Sequence, residues 1–391
     1  MTKKLLSAAV CGSALLLAIT GCSTAADTTT TAGGGLTGTG SGDSCVIDSK
    51  IPIGASFSLT GAAAQYGAGQ KNALELAVQN LNKVGGVTYE LTVEDDATDP
   101  KQAIQVFDSF VASGASIIIG PTLSNTAKQT NPIAQDAKVP VLGVSNTAAG
   151  ITEIGDYIFR DSLTEDAVIP QTVKAAVDTL GVKKVVVMYS NDDAFTESGY
   201  QAFVAALEDD KVEIADTLTF SKADTDFRAL LNKAKQSNAD AIVVSGLIDA
   251  AVPLVSQARE IGIDTPIIGG NGFNSPALLS GAGSAAEGVI VGAAWNSASD
   301  NDQNVKFIAD YTAAYDGAPD QFSAQAYAGM QIIDHAVRAE CSGEREDIKA
   351  GLGKITDVPT VLGKVSLNEN RDAVHDALVQ IVKDGQFTIL K

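Results

Sequence analysis

Histidine is almost missing from this chain: there are two in 391 residues, His335 and His375, each on an otherwise unremarkable segment. A histidine-based triad or zinc site has too few ligands to be built from them. No Gly-x-Ser-x-Gly elbow, phosphate loop or metal-spaced cysteine pair occurs. Cations are scarce too, with 27 Lys+Arg against 47 Asp+Glu and a net charge of −20. Nucleic acid and anionic membrane surfaces both demand clustered cations, so neither is expected as a partner. Long hydrophobic runs are absent after the first twenty residues, yet hydrophobic content of 45 % excludes a largely disordered chain. The length suggests two or three domains.

The amino terminus breaks the acidic pattern. Residues 1–21 carry Lys3 and Lys4 and no acid, so the remainder stands at −22 (−20 minus +2). A mostly apolar run follows from Leu5 to Ile19, too short for a bilayer span of about 20 residues but suited to a secretory signal. It closes in Ile19-Thr20-Gly21-Cys22, which resembles a bacterial lipobox. Residues 1–21 therefore read as a lipoprotein signal peptide and Cys22 as the lipidated amino terminus. The expected location is extracytoplasmic, lipid-anchored at the outer face of the cell membrane. An ordinary signal peptide with an incidental cysteine is the alternative.

Residues 23–44 hold seven Thr, six Gly and three Ser with no aromatic residue. Such a stretch lacks the apolar surface to fold and is expected to be a flexible tether, roughly 26 Å in root-mean-square span. With Cys11 in the signal and Cys22 lipidated, Cys45 and Cys341 remain. In an oxidising compartment one disulfide is expected, with two isolated buried thiols as the alternative.

From residue 45 onward β-rich and helical runs alternate. Ile51–Phe57 and the alternating Tyr89, Leu91 and Val93 read as strands. Between them, Ala73, Leu74, Ala77, Val78 and Leu81 keep helical spacing up to a stop at Gly85-Gly86. Pro100 opens a second helix, and Ser116–Gly120 and Val139–Val144 read as compact strands. The rhythm resumes with Lys184–Tyr189, Glu213–Thr219, Ala241–Gly246 and Pro266–Gly269. The fold class is α/β, with two doubly wound parallel-sheet lobes and a cleft between the carboxyl ends of their strands.

Within that frame the acidic stretch Glu94-Asp95-Asp96-Ala97-Thr98-Asp99 lacks calcium-loop spacing and is expected to be a solvated loop, with Asp99 capping the next helix. The turns after two strands say more. Gly120-Pro121-Thr122-Leu123-Ser124-Asn125-Thr126 and Val144-Ser145-Asn146-Thr147 each place hydroxyls and an amide where a helix is expected to begin. Two such helix ends on one sheet edge would clamp a small carboxylate without an arginine, although plain capping explains either turn alone.

The chain from residue 50 onward resembles the extracytoplasmic solute-binding proteins of ABC importers, of the leucine/isoleucine/valine-binding type. The carrying pieces include Ser58-Leu59-Thr60-Gly61 with Gln65-Tyr66-Gly67, Asp95-Asp96-Ala97-Thr98-Asp99-Pro100, Ser145-Asn146-Thr147, Phe159-Arg160, Ala326-Tyr327 and Lys383-Asp384-Gly385. The resemblance implies a type I periplasmic-binding-protein-like fold, crossed three times at a hinge. Lobe I would take residues 45–163 and 297–362, and lobe II residues 164–296 and 363–391, which puts Cys45 and Cys341 in one lobe. By position, Ser124, Asn146 and Thr147 fall where the family holds the ligand carboxylate, and Tyr66 at its aromatic wall. Phe195 and Leu247 stand where the family often has tyrosine. Asn271 stands where an acid commonly pairs with the ligand ammonium, so Asp166 or Asp249 would have to substitute, or the ligand would be an aromatic or short organic acid without an amine. The function implied is capture of a small carboxylate-bearing solute, an apolar amino acid of branched-chain type, by a monomer that delivers it to a membrane permease. No enzyme activity, cofactor or metal is implied. A ligand-sensing protein of the same fold for a receptor or regulatory partner is the alternative.

Overall fold

The computed structural model describes residues 35–390. The signal peptide, Cys22 and the first part of the expected tether lie outside the described residues. The last part of that tether is not free chain. Leu36 packs on the first core, and its carbonyl accepts the Gly343 N–H at 2.8 Å. Gly38 N–H donates to the Cys341 carbonyl, and Thr39 and Val46 exchange both backbone bonds. Composition alone misjudged this stretch because backbone pairing, rather than its own side chains, holds it. Cys45 and Cys341 are disulfide-bonded, Cα–Cα 5.3 Å, closing a separation of 296 residues.

The first group runs β1 (Ile51–Phe57), α1 (Ala64–Val84), β2 (Tyr89–Asp95), α2 (Pro100–Ser113), β3 (Ile117–Ile119), α3 (Ser124–Asp136), β4 (Val141–Gly143) and β5 (Ile158–Arg160). Its five strands are parallel in the order β2-β1-β3-β4-β5, with Ile51 opposite Tyr89 and Ile53 opposite Ile117. Central β1 is buried on both faces. Edge strand β2 alternates, Tyr89 inward and Glu90 outward, as a one-sided edge should.

The second group runs α4 (Glu165–Leu180), β6 (Lys184–Ser190), α5 (Ala194–Asp209), β7 (Glu213–Phe220), α6 (Arg228–Gln236), β8 (Ala241–Ser245), α7 (Ile248–Glu260), β9 (Ile267–Gly269), α8 (Pro276–Ala282) and β10 (Ile290–Ala293). Then come α9 (Asp302–Ala314), α10 (Gln321–Glu340) and α11 (Arg345–Leu352), with β11 (Val358–Thr360), β12 (Gly363–Leu367), β13 (Ala373–Val374), β14 (Leu378–Lys383) and β15 (Gln386–Ile389). The second sheet has seven strands ordered β15-β14-β10-β9-β8-β6-β7, of which only β14 runs against the others, pairing antiparallel with both β10 and β15. Helix α10 packs along α1 and carries Met330, Ile333 and Val337 into the first core. Among the described residues no helix is long and apolar enough to cross a membrane.

Two expectations need correction. The chain does not join the second group at residue 363: β12 pairs with β11, and Val365 and Ala373 lie in the first core. It enters the seven-stranded sheet only at Leu378, where β14 pairs with β10. The turn after β4 opens no α-helix either. Only a single 3₁₀ turn, Thr152–Ile154, precedes β5, because Gly150 (φ +79°) and Gly155 interrupt a connection too short to nucleate one.

The acidic loop also differs from the solvated reading. Asp96 is fully buried, accepting from Ser58 Oγ at 2.6 Å and Thr98 N–H at 2.9 Å. Asp95 accepts from the Leu59 and Thr60 N–H groups and the Thr60 hydroxyl. These acids lock the Ser58–Thr60 turn above the end of β1. Asp99 caps α2 as expected, accepting from Lys101 and Gln102 N–H.

Candidate functional site

The carboxyl ends of both parallel sheets face one narrow cleft lined from both sides. Ser124 begins α3, and the turn after β4 brings Ser145 and Thr147 alongside it. Ala148 N–H donates to Ser124 Oγ at 3.2 Å, which ties the two turns together. Helix α3 opens with Leu123 at its N-cap and no side-chain acceptor, whereas α2, α4 and α5 are capped by Asp99, Thr164 and Asp193. Its first N–H groups are thus left for an external acceptor, and the helix dipole favours an anion there.

The opposite wall comes from the second group. Phe195 is the second residue of α5, Leu247 precedes α7, and Asn271-Gly272 follows β9. Gly272 carries no side chain for a geometric reason: a Cβ there would lie 2.4 Å from the Gly246 carbonyl oxygen and 3.1 Å from the Phe195 ring. Helix α10 adds Gln321, Phe322 and Gln325.

Tyr66 spans the two walls. Its Oη donates to the Gly272 carbonyl and accepts the Ile248 N–H, both at 2.8 Å. Ile248 is the first residue of α7, whose N-cap Leu247 has no acceptor of its own, so a side chain from the opposite wall completes that helix. Burial raises the Tyr66 phenol above the ordinary tyrosine range, so it stays protonated and able to donate. The ring also packs on Phe322, centroids 4.4 Å apart. Asn125 makes a second bridge, donating to Asp193 Oδ2 at 2.6 Å and accepting the Ala194 N–H at 2.8 Å. A third runs from Ala149 N–H to Ser198 Oγ at 3.0 Å.

Six of the seven residues singled out from sequence line this cleft: Tyr66, Ser124, Thr147, Phe195, Leu247 and Asn271. Asn146 does not. It is fully buried behind the wall, where its Nδ2 donates to the Pro121 carbonyl at 2.8 Å and holds one turn against the other. Neither proposed substitute acid lines the cleft; Asp166 and Asp249 are both exposed.

The acid at this site is Glu165, which sequence reasoning passed over for its neighbour. The first residue of α4, it is 1 % exposed, and its Oε1 accepts from Thr147 Oγ1 at 2.7 Å and Asn271 Nδ2 at 3.0 Å. Oε2 has no hydrogen-bond partner among the described residues. Burial is the largest influence and pushes the carboxyl up to about 7, against the pull of its two donors. The available signal was positional: after N-cap Thr164, the first helical residue turns inward and the second outward. Gln321 and Phe322 were missed because only folding brings their helix to its partners, Gln321 to Asn271, Asn274 and Ala294 and Phe322 to Tyr66.

Comparison with known proteins agrees with this architecture. The family model described as periplasmic binding protein matches residues 50–386. The chain belongs to that family. As a periplasmic binding protein it is 27 % identical over 329 residues to the Leu/Ile/Val-binding protein BraC3 of Rhizobium johnstonii, covering 82 % of this chain and 88 % of that one. A leucine-, isoleucine-, valine-, threonine- and alanine-binding protein of Pseudomonas aeruginosa matches at 27 % over 328 residues, covering 82 % and 87 %. Among solved structures, the branched-chain amino acid transporter substrate-binding protein LivJ of Streptococcus pneumoniae, in complex with isoleucine, aligns with a TM-score of 0.82. It is 29 % identical and covers 87 % of this chain and 98 % of that one. A Rhodopseudomonas palustris solute-binding protein in complex with benzoate shares the fold at a TM-score of 0.80 and 23 % identity, covering 88 % and 96 %.

Proposed function

We propose that this periplasmic binding protein is the lipid-anchored receptor of an ABC importer, held outside the cell membrane through Cys22. It captures an apolar, carboxylate-bearing solute, an amino acid of branched-chain type, and delivers it to a membrane permease. The observation that carries the reading is the make-up of one cleft. The hydroxyl of Ser124 stands beside the uncapped start of α3, and facing it are the apolar Phe195, Leu247 and Phe322. That pairing suits a ligand with an anionic head and an apolar tail. Relatives that bind leucine, isoleucine and valine support the amino-acid assignment. The ligand enters with the lobes apart, its carboxylate meets the α3 end, and the second lobe closes over the tail. Closure forms the Tyr66 and Asn125 bridges, and the closed form is what a permease reads.

A second reading, capture of an aromatic acid, is favoured by the three rings of Tyr66, Phe195 and Phe322 around the cleft. A thermal-shift screen of aliphatic amino acids against aromatic and aliphatic acids separates the two. A ligand at 100 times its dissociation constant adds about 2.7 kcal/mol of stability. No shift with any carboxylate in the set sinks both readings.

A further inference from the structure

Most side-chain oxygens of the cleft already have partners. Thr122 donates its hydroxyl proton to Gln70 Oε1 at 2.7 Å and accepts the Ser58 N–H at 3.0 Å. Ser145 donates to the Thr122 carbonyl at 2.7 Å and accepts from Gln70 Nε2 at 2.7 Å. Gln321 Oε1 takes the Ala294 N–H at 2.6 Å and Asn274 Nδ2 at 2.7 Å, which fills both its lone pairs. The hydroxyl protons of Tyr66 and Thr147 go to Gly272 and Glu165. Gln325 is the exception. It lines the cleft, it is 1 % exposed, and its Oε1 has no hydrogen-bond partner among the described residues.

Helix α10 holds this amide in place. Its spacing turns Gln321, Phe322 and Gln325 to one face, and all three line the cleft. One turn further on, Gly329 lets the helix close on the ends of β4 and β5: a Cβ there would lie 2.8 Å from the Val144 side chain and 3.0 Å from Asp161 Oδ2. That approach keeps this part of α10 down against the sheet ends and Gln325 away from bulk water. A buried carbonyl oxygen without a donor is a standing cost to the closed protein. A wholly apolar ligand tail leaves that cost in place, whereas a ligand that brings a donor removes it.

We infer that Gln325 is a specificity-determining residue, and that the solute carries, besides its carboxylate and apolar body, a neutral hydroxyl that Gln325 reads. The inference rests on the proposed capture of a carboxylate and narrows the class taken from purely apolar acids to hydroxylated ones. A hydroxyl both donates and accepts, so either end of the Gln325 amide finds its match in it. Two kinds of acid offer that chemistry, an aliphatic hydroxy-amino acid such as threonine and a phenolic acid such as 4-hydroxybenzoate. A site built to bond a hydroxyl rejects the analogue that lacks it, because its own polar group is then left buried and unpaired.

The test is calorimetric titration of the full mature protein with two pairs, L-threonine against L-valine and 4-hydroxybenzoate against benzoate. Within each pair the charged groups are the same, so the difference isolates the hydroxyl. In at least one pair the hydroxylated member should bind roughly 5- to 150-fold tighter, the worth of a donor to a buried unpaired carbonyl. The pair that responds tells an aliphatic solute from a phenolic one. Gln325→Leu should abolish the preference by weakening the hydroxylated member and tightening its partner. Should that variant not fold, Gln325→Met makes the same comparison with a side chain closer in shape. Equal affinities within both pairs, or tighter binding of the members without a hydroxyl, overturn the inference. A preference that survives loss of the amide overturns it as well, since another group then reads the hydroxyl. If none of the four binds while leucine does, the inference falls and capture of a carboxylate stands; if no carboxylate binds, the proposed function itself fails.

Discussion

Replacing Tyr66 by phenylalanine removes one oxygen and two bonds that span the cleft. The Tyr66 hydroxyl is buried, donates to the Gly272 carbonyl at 2.8 Å and accepts from Ile248 N–H at 2.8 Å. In Tyr66→Phe both backbone groups stay buried and lose their partner whenever the lobes are together. With the lobes apart, water reaches them. Leaving a buried neutral group unpaired costs about 1–3 kcal/mol, and the two together are expected to cost about 2–4 kcal/mol against closure. Since tenfold in affinity is about 1.4 kcal/mol, the dissociation constant for the best carboxylate ligand should rise roughly 30- to 900-fold. The ring is retained, so its contact with Phe322 and the stability of the ligand-free protein should change little. Titration calorimetry gives the affinity, and small-angle scattering with and without ligand reports whether the lobes still draw together. An affinity within threefold of wild type would refute the bridge as a closing device. A ligand-free melting temperature that falls in step with affinity would refute the reasoning as well, by making Tyr66 a constituent of the resting fold.

Other expectations follow from the same geometry. Ser124→Ala should weaken a carboxylate ligand by about 1 kcal/mol or more, read by calorimetry; unchanged affinity would remove Ser124 from the site. Losing the Cys45–Cys341 bond, in a double alanine variant or under reductant, should cost about 2–5 kcal/mol of stability on denaturant titration, since it closes a long loop at two buried residues. Asp161 is fully buried with neither carboxylate oxygen hydrogen-bonded among the described residues, and burial holds its carboxyl well above the usual range. The folded state therefore keeps a proton that the unfolded chain has already lost, and stability drains away as pH rises above about 4. Asp161→Asn should raise the melting temperature at neutral pH and lose that advantage in acid; a lower melting temperature at pH 7 would contradict it.

Local patterns carried far into the fold. Pro100 after Asp99 marked the start of α2, and Gly85-Gly86, both at positive φ, marked the end of α1. Both are signals written within a few residues of the feature they announce. Errors arose where a segment's fate depends on distant chain. Leu36–Thr39 look like linker until the Cys341 segment supplies their bonds. Gly363–Leu367 reads as the start of the second lobe until β11 takes it as a partner. Asn146 shares the composition of a ligand-binding turn, yet its amide is consumed by Pro121.

The cleft shows the same division more sharply. Sequence alone determined the α/β rhythm, the acidic character, the candidate residues on the turns after the strands and the lack of an acid at position 271. These depend on residue type and spacing, which are local properties. Only the tertiary structure decided that Tyr66 completes helix α7 from across the cleft, that α10 supplies Gln321 and Phe322, and that Glu165 is buried behind the cleft wall while Asp166 is exposed. Adjacent residues at a helix start point to opposite sides, so which one is buried is set by what packs over the helix. The direction of each amide and hydroxyl in the cleft is set by its partner. Those partners lie up to 206 residues apart, joined by folding and not by sequence.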